Sequence, residues 1–139
     1  MLLKFKILGI YSPKQSFKFT KTGIRYQPRK LKEDKINLRS QIINQLPKNF
    51  KPFANKVELI KLWFHFPPVK SFNRKIKKMI DDGNYIIKCT RPDYDNLLKG
   101  VIDAMIGVVF LDDNIIWRVQ DVAKVYSNEP KIEMIIKGE

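Results

Sequence analysis

Residues 91–114 read RPDYDNLLKGVIDAMIGVVFLDDN. Five aspartates fall in this stretch, Asp93, Asp95, Asp103, Asp112 and Asp113, with one lysine, Lys99, among them. Pro92 disfavours helix at Arg91, so Asp93 is expected at the end of an extended segment. Asp95 is a good N-cap for a helix starting at Asn96. Side chains two apart on an extended segment point the same way, which would let Asp93 and Asp95 converge. From 96 to 106, Leu97, Val101 and Met105, with Leu98 and Ile102, recur at helical spacing and predict a buried face. Asp95, Lys99 and Asp103 recur every four residues on the opposite stripe. After Gly107, the run VVFLDD predicts a short apolar strand ending at an acidic pair, with a further strand over 115–126. Consecutive strand residues face opposite ways, so only one of Asp112 and Asp113 should reach the site, and the pattern leaves open which.

The surroundings are cationic. Residues 1–91 hold 22 Lys+Arg against 5 Asp+Glu, whereas residues 92–139 hold 5 against 9. The whole chain carries a formal net charge of +13. An acidic centre in such a frame suggests a metal site served by a polyanion, with binding that weakens as salt rises. At 139 residues, 44% apolar and 12% aromatic, the chain fits one globular domain, 1–139, with a real core. No apolar run approaches the roughly 18 residues of a membrane span. Lys4 and Lys6 interrupt the only stretch resembling a signal start, and no small-residue cleavage site follows it. Cys89, the sole cysteine, excludes an internal disulfide, fits a reducing cytosol and is expected to be a small buried hydrophobe.

The rest of the chain supplies the frame. Residues 2–10 alternate as a half-buried strand. Residues 11–23 predict a loop or short hairpin, in which Lys14 and Lys18 are candidate phosphate contacts and Phe17 and Phe19 pack on the core. Residues 30–46 predict a helix with Leu31, Leu38, Ile42 and Leu46 on one face, stopped by Pro47. Residues 56–66 predict a central strand with Ile60, Leu62, Phe64 and Phe66 on the more apolar face and His65 as an ordinary strand residue. Ser71 can cap a short helix over 72–82. Its cations Arg74, Lys75, Lys77 and Lys78 are hard to justify as packing.

Aspartates suit this role because Mg²⁺ takes oxygen ligands and is usually held by one or two carboxylates plus waters and substrate phosphate. Such a centre can activate water for attack on phosphorus, and a nearby ammonium, Lys99, can offset the charge that builds on the phosphate. The residues therefore read as a Mg²⁺-dependent endonuclease acting on DNA. Each acidic residue also has a plain alternative: Asp95 as a helix cap, Asp112 and Asp113 as turn residues, and Asp95 with Lys99 as an i,i+4 pair.

RPDYDNLLKGVIDAM followed by GVVFLDDNII resembles the RusA family of Holliday junction resolvases, and PPVKSFNRKIKK resembles its upstream proline-lysine-serine stretch. The resemblance implies a Mg²⁺-dependent homodimer, with Mn²⁺ as a substitute, that cuts two strands of a four-way DNA junction symmetrically. It implies Asp93, Asp95 and Asp113 as catalytic metal ligands and Lys99 as the essential lysine. Asn96, Asp103 and Asp112 fall in supporting positions. Lys14, Lys18, Arg74, Lys75, Lys77 and Lys78 are the candidates for contacting the arms. The expected fold is α+β, a small mixed sheet with strands near 2–10, 56–66, 115–126 and 131–137 and main helices near 30–46 and 95–106. The expected setting is recombination and repair in a bacterial or phage-infected cytoplasm, with 5′-phosphate and 3′-hydroxyl products. The rivals are a non-catalytic nucleic-acid-binding regulator and a nuclease acting on flaps or forks.

Overall fold

β1, Leu2–Leu8, alternates as its LLKFKIL sequence requires: Leu3, Phe5 and Ile7 are buried and the residues between them are exposed. The computed structural model describes residues 1–9, 11, 18–19, 25–26 and 29–139, with side chains described at 1–9, 11 and 33–139. β1 pairs antiparallel with β8, Lys131–Gly138, which pairs antiparallel with β4, Val57–Phe66. The registers place Leu3 beside Ile136 and Leu59, Phe5 beside Met134 and Leu62, and Ile7 beside Ile132 and Phe64. These three cross-strand rows form the floor of the core.

The rows stay in phase because β4 carries an irregularity between Leu59 and Lys61. Val57 and Leu59 are buried before it, Leu62 and Phe64 after it. Ile60 is therefore only half-buried, which corrects the uniform alternation expected for this strand. The same irregularity explains why the strand expected over 115–126 is two strands. β6, Ile116–Val119, runs parallel to the first half of β4, and β7, Val122–Tyr126, runs parallel to its second half. Between them the Gln120 amide donates to the Leu59 carbonyl, and Leu62 N donates to the Asp121 carbonyl. β5, Ile86–Ile87, closes the far side of the sheet on β7, giving the order β1-β8-β4-β7-β5 with β6 also on β4. A separate two-stranded ladder joins β2, Lys18–Phe19, to β3, Arg25–Tyr26, as a hairpin reading would have it. The architecture is α+β, a six-stranded mixed sheet with three helices among the described residues.

α1, Arg29–Gln45, and α3, Tyr94–Met105, join the same core. Leu38 and Ile42 of α1 are buried with Leu97, Val101, Ala104 and Met105 of α3. Leu46 packs against them, while the side chain of Leu31 lies outside the described set. Burial of each large apolar side chain here contributes about 1.5–3 kcal/mol. Tyr11, which follows β1, packs closely on α3: a Cβ at Gly100 would meet Tyr11 Oη at 2.5 Å. Tyr11 is buried, and that burial, reinforced by the carboxylates of Asp34 and Asp103, raises its hydroxyl pKa far above the usual value.

α1 also covers the free edge of β1. The Gln41 side chain accepts from Leu8 N at 2.8 Å and donates to Leu8 O at 2.9 Å. Gln45, one turn on, does the same to Lys6 N and O at 3.0 and 2.9 Å.

α2, Arg74–Asp81, is capped by Asn73, whose Oδ1 accepts from Ile76 N at 2.9 Å; Ser71, the expected cap, lies two residues too early. Ile80 anchors this helix and is fully buried. Cys89 is exposed, which corrects the expectation of a buried thiol. Its neighbours Lys88 and Thr90 both hydrogen-bond towards Tyr126, so the residue between them faces the other way.

Candidate active site

α3 begins at Tyr94, two residues earlier than an Asp95 cap would start it. Asp93, not Asp95, holds the N-cap position, with φ −67° and ψ 138°, and its side chain makes no capping bond. The Asp93 carboxylate is thus left uncommitted among the described residues. Asp95 lies in the first helical turn, where its Oδ1 accepts from Asn96 N at 3.0 Å. Both carboxylates stand at the start of a helix, not on the extended segment that the sequence implied. The partial positive charge of the exposed N–H groups at that helix end favours both of them. Tyr94, between them, is 60% exposed.

The stretch after α3 is not the expected strand. Gly107 turns the chain at φ 80°, and Val108, Val109 and Phe110 are buried in succession. Phe53 brackets this turn, donating from its N to Val109 O at 2.9 Å and accepting at its O from Leu111 N at 3.0 Å. Asp112 then caps a 3-10 turn, Asp113–Ile115, its Oδ1 accepting from Asn114 N at 2.9 Å. The acidic pair is divided by this turn: Asp112 has a local structural partner, whereas the exposed Asp113 carboxylate has none among the described residues.

Lys99 is exposed and forms no ion pair with Asp95 or Asp103, so the i,i+4 alternative is not realised. Asp103 sits instead near Tyr11. Asn96 is half-buried and donates only its backbone N–H to Asp95. Arg74, Lys75, Lys77 and Lys78 are all exposed on α2. Of these, Lys77 reaches the Lys70 carbonyl at 3.2 Å, and the other three have no partner among the described residues. Lys14 lies outside the described residues, and only the backbone of Lys18 is within them.

Some cations of the sheet are instead paired in place. Glu129 pairs with Lys6 at 2.6 Å, and Glu133 pairs with Lys61 at 3.2 Å. His65 belongs to this second network. Its Nδ1 lies 2.9 Å from Ser127 Oγ, and its Nε2 lies 2.6 Å from Glu133 Oε1. The order serine, histidine, carboxylate invites a nucleophilic reading. However, Ser127 and His65 are only 7% and 8% exposed, and the Ser127 hydroxyl donates to the Glu129 carbonyl. The trio ties β4 to β8 and the turn before it.

Sequence reasoning missed the group that ties down the segment before Asp93. Lys124 of β7 donates from Nζ to Thr90 O at 2.7 Å and to Pro92 O at 2.8 Å. Lys88 Nζ reaches Thr90 Oγ1 at 2.8 Å and Tyr126 Oη at 3.1 Å. Hydrogen bonds from Thr90 and then from Lys88 hold the Tyr126 hydroxyl below its ordinary pKa. A lysine inside the otherwise apolar VAKVY was the available signal.

The carboxylate oxygens of Asp93, Asp95 and Asp113 are the donors a hard divalent cation takes. Among the described residues, no three His, Cys, Asp or Glu side chains are gathered closely enough to form a ready-made metal cage. That arrangement is compatible with a cation of this class, which is commonly held by one or two carboxylates, with substrate phosphate and water completing its shell.

The family pattern described as endodeoxyribonuclease RusA matches residues 10–137. The chain belongs to the RusA endodeoxyribonuclease family. A curated relative, the uncharacterized protein YqaN of Bacillus subtilis (strain 168), is 33% identical over 78 residues, which cover 56% of this chain and 54% of YqaN. The chain therefore spans about half the length of that relative. Within this RusA-family member, no described helix is long and apolar enough to cross a membrane. The matched family is described as one of endodeoxyribonucleases.

Proposed function

We propose that this protein is a Mg²⁺-dependent endonuclease, with Mn²⁺ as a substitute. It would resolve Holliday junctions in recombination and repair, acting as a homodimer of one catalytic domain per chain. The observation that carries this reading is the state of the side chains at the two acidic turns. Asp93 and Asp113 have no competing partner among the described residues, while the neighbouring Asp112 has a local one.

Asp93, Asp95 and Asp113 would hold the cation. When bound, a divalent ion supplies charge stabilisation at the scissile phosphate and makes water a stronger nucleophile. Lys99, without an acidic partner among the described residues, places an ammonium one helical turn beyond Asp95, where it can offset negative charge gathering on the phosphate. Arg74, Lys75, Lys77 and Lys78, with Lys14 and Lys18, are the proposed contacts to the DNA arms. Exposed unpaired cations gain most from phosphate because they lose no internal ion pair on binding. Two related sites in a homodimer suit paired incision of a two-fold junction.

The test is cleavage of a synthetic four-way junction, alongside a flap, a fork and a plain duplex, in Mg²⁺, Mn²⁺ or chelator. Asp93→Asn should abolish cutting and leave junction binding intact. The rival, a non-catalytic nucleic-acid-binding regulator, is favoured by the absence of a preassembled acidic trio among the described residues. It would be supported if Asp93→Asn lost binding and no metal produced cleavage.

A further inference from the structure

We propose that Lys124 is a positioning residue that sets the orientation of the Asp93 carboxylate and thereby the affinity of the site for its divalent cation. The inference rests on the metal-site reading above.

In the parallel register of β4 and β7, Lys124 stands beside Phe64. Residues aligned in this way project from the same face of a sheet, so Lys124 extends the row Ile7–Ile132–Phe64 on the face that carries α3. An ammonium at the end of an apolar row needs acceptors. It finds them in Thr90 O and Pro92 O, at 2.7 and 2.8 Å. Both distances are short for N–H···O bonds, as expected when the donor is charged. Lys88 N donates back to Lys124 O at 3.0 Å, so β7 also fixes the start of the segment.

The second acceptor matters most for Asp93. The Pro92 carbonyl belongs to the peptide unit whose nitrogen is that of Asp93. Anchoring this carbonyl fixes the peptide plane from which Asp93 departs, and leaves only its own φ, ψ and side-chain torsions. Pro92 has no N–H with which the sheet could hold the segment instead. A compact ammonium carries three donors and can serve two carbonyls two residues apart, which a planar guanidinium does less readily. Groups that orient the ligands of a metal commonly change its affinity by about 10–100-fold when removed.

The experiment measures Mn²⁺ binding to the full chain without DNA, by paramagnetic resonance of free Mn²⁺. Wild type, Asp93→Asn, Lys124→Met, Lys124→Arg and Lys61→Met are compared, each checked for folding by circular dichroism. Lys124→Met keeps the stem but loses charge and donors, and should weaken Mn²⁺ binding by about tenfold. Lys124→Arg should fall between it and wild type, and stands in for it should Lys124→Met fail to fold. Lys61→Met removes a lysine of the opposite network and should leave Mn²⁺ affinity unchanged, separating positioning from general loss of stability. If Asp93→Asn weakens binding and both Lys124 variants bind like wild type, the positioning role is wrong and the metal site stands. If wild type binds no Mn²⁺, or Asp93→Asn binds as tightly, the metal reading and this inference both fall.

Discussion

Adding one methyl group at Gly138 should destabilise the protein and disturb the turn that presents Asp113. A Cβ there would lie 2.6 Å from Cγ and 2.7 Å from Cε2 of Phe53, and would also overlap its Cδ2. Carbon atoms pack at about 3.5–4.0 Å, so the ring must retreat by about 1 Å. It is poorly placed to do so. Phe53 is 6% exposed, the Phe50 ring meets its edge at a centroid distance of 5.3 Å, and its backbone is bonded to both Val109 and Leu111. Replacing glycine by alanine in a strand would otherwise stabilise it by about 0.5–1 kcal/mol. Overpacking costs about 1–3 kcal/mol, and a shift of about 1 Å in a tightly held ring falls in the upper half of that range, leaving a net loss of roughly 1–2 kcal/mol. That loss corresponds to about 3–8 °C in Tm for a chain of this size. Urea denaturation of Gly138→Ala, Phe53→Leu and the double variant measures it. The double variant should be more stable than the sum of the single losses, with a coupling of about 0.5 kcal/mol or more. A Gly138→Ala variant as stable as wild type would refute the wedge argument and return the decision to backbone propensity.

The divided acidic pair gives a second test: Asp112→Asn should keep both fold and junction cleavage, because an amide oxygen can still accept from Asn114 N. Asp113→Asn should fold normally and lose cleavage by on the order of 10²-fold, measured on denaturing gels. A third concerns pH. Burial, with help from Lys131 and Lys61, pushes the His65 pKa below its ordinary value despite Glu133. Burial alone would raise the Glu133 pKa, but Lys61, His65 and Lys131 hold it below normal. In both cases the unfolded chain binds more protons on acidification, so stability is complete above about pH 6.5 and declines below it, first through His65 and then through Glu133. Thermal melts of His65→Asn should be flatter than wild type between about pH 6.5 and 5; equal slopes would rule out the histidine as the source. Finally, replacing Lys75 and Lys78 by alanine should reduce the salt slope of junction binding by about 0.9 for each phosphate no longer neutralised, read by fluorescence anisotropy across a NaCl series. An unchanged slope would mean that α2 faces away from the DNA.

Where local periodicity governed, the sequence was readable. The alternation of β1 and the Leu97–Val101–Met105 spacing of α3 located the core and the helix that carries Asp95. The discrepancies arise from contacts between distant segments. Nothing local announces the irregularity at Ile60, which keeps β4 aligned with β8 and divides β6 from β7. The VVFL run looked like a strand because apolar residues are contiguous there, yet it is a buried turn held by Phe53, which is distant in sequence and bonded directly beside it. The shift of the α3 cap by two residues, from Asp95 to Asp93, changed the argument for Asp93 more than its location. Lys124 was legible as a lysine in an apolar strand, but its acceptors lie more than thirty residues earlier in the chain.

The paired glutamines of α1 bear on how copies of this protein behave when crowded. A net charge of +13 keeps molecules apart in dilute solution. Phosphate cancels that repulsion on DNA and gathers the molecules at close quarters, where a bare strand would tempt a neighbour to zip alongside it. Gln41 and Gln45 already occupy the hydrogen-bonding positions of Lys6 and Leu8, like the rungs of a counterfeit strand. Charge screening can thus bring copies together without inviting them to polymerise along that margin of the sheet.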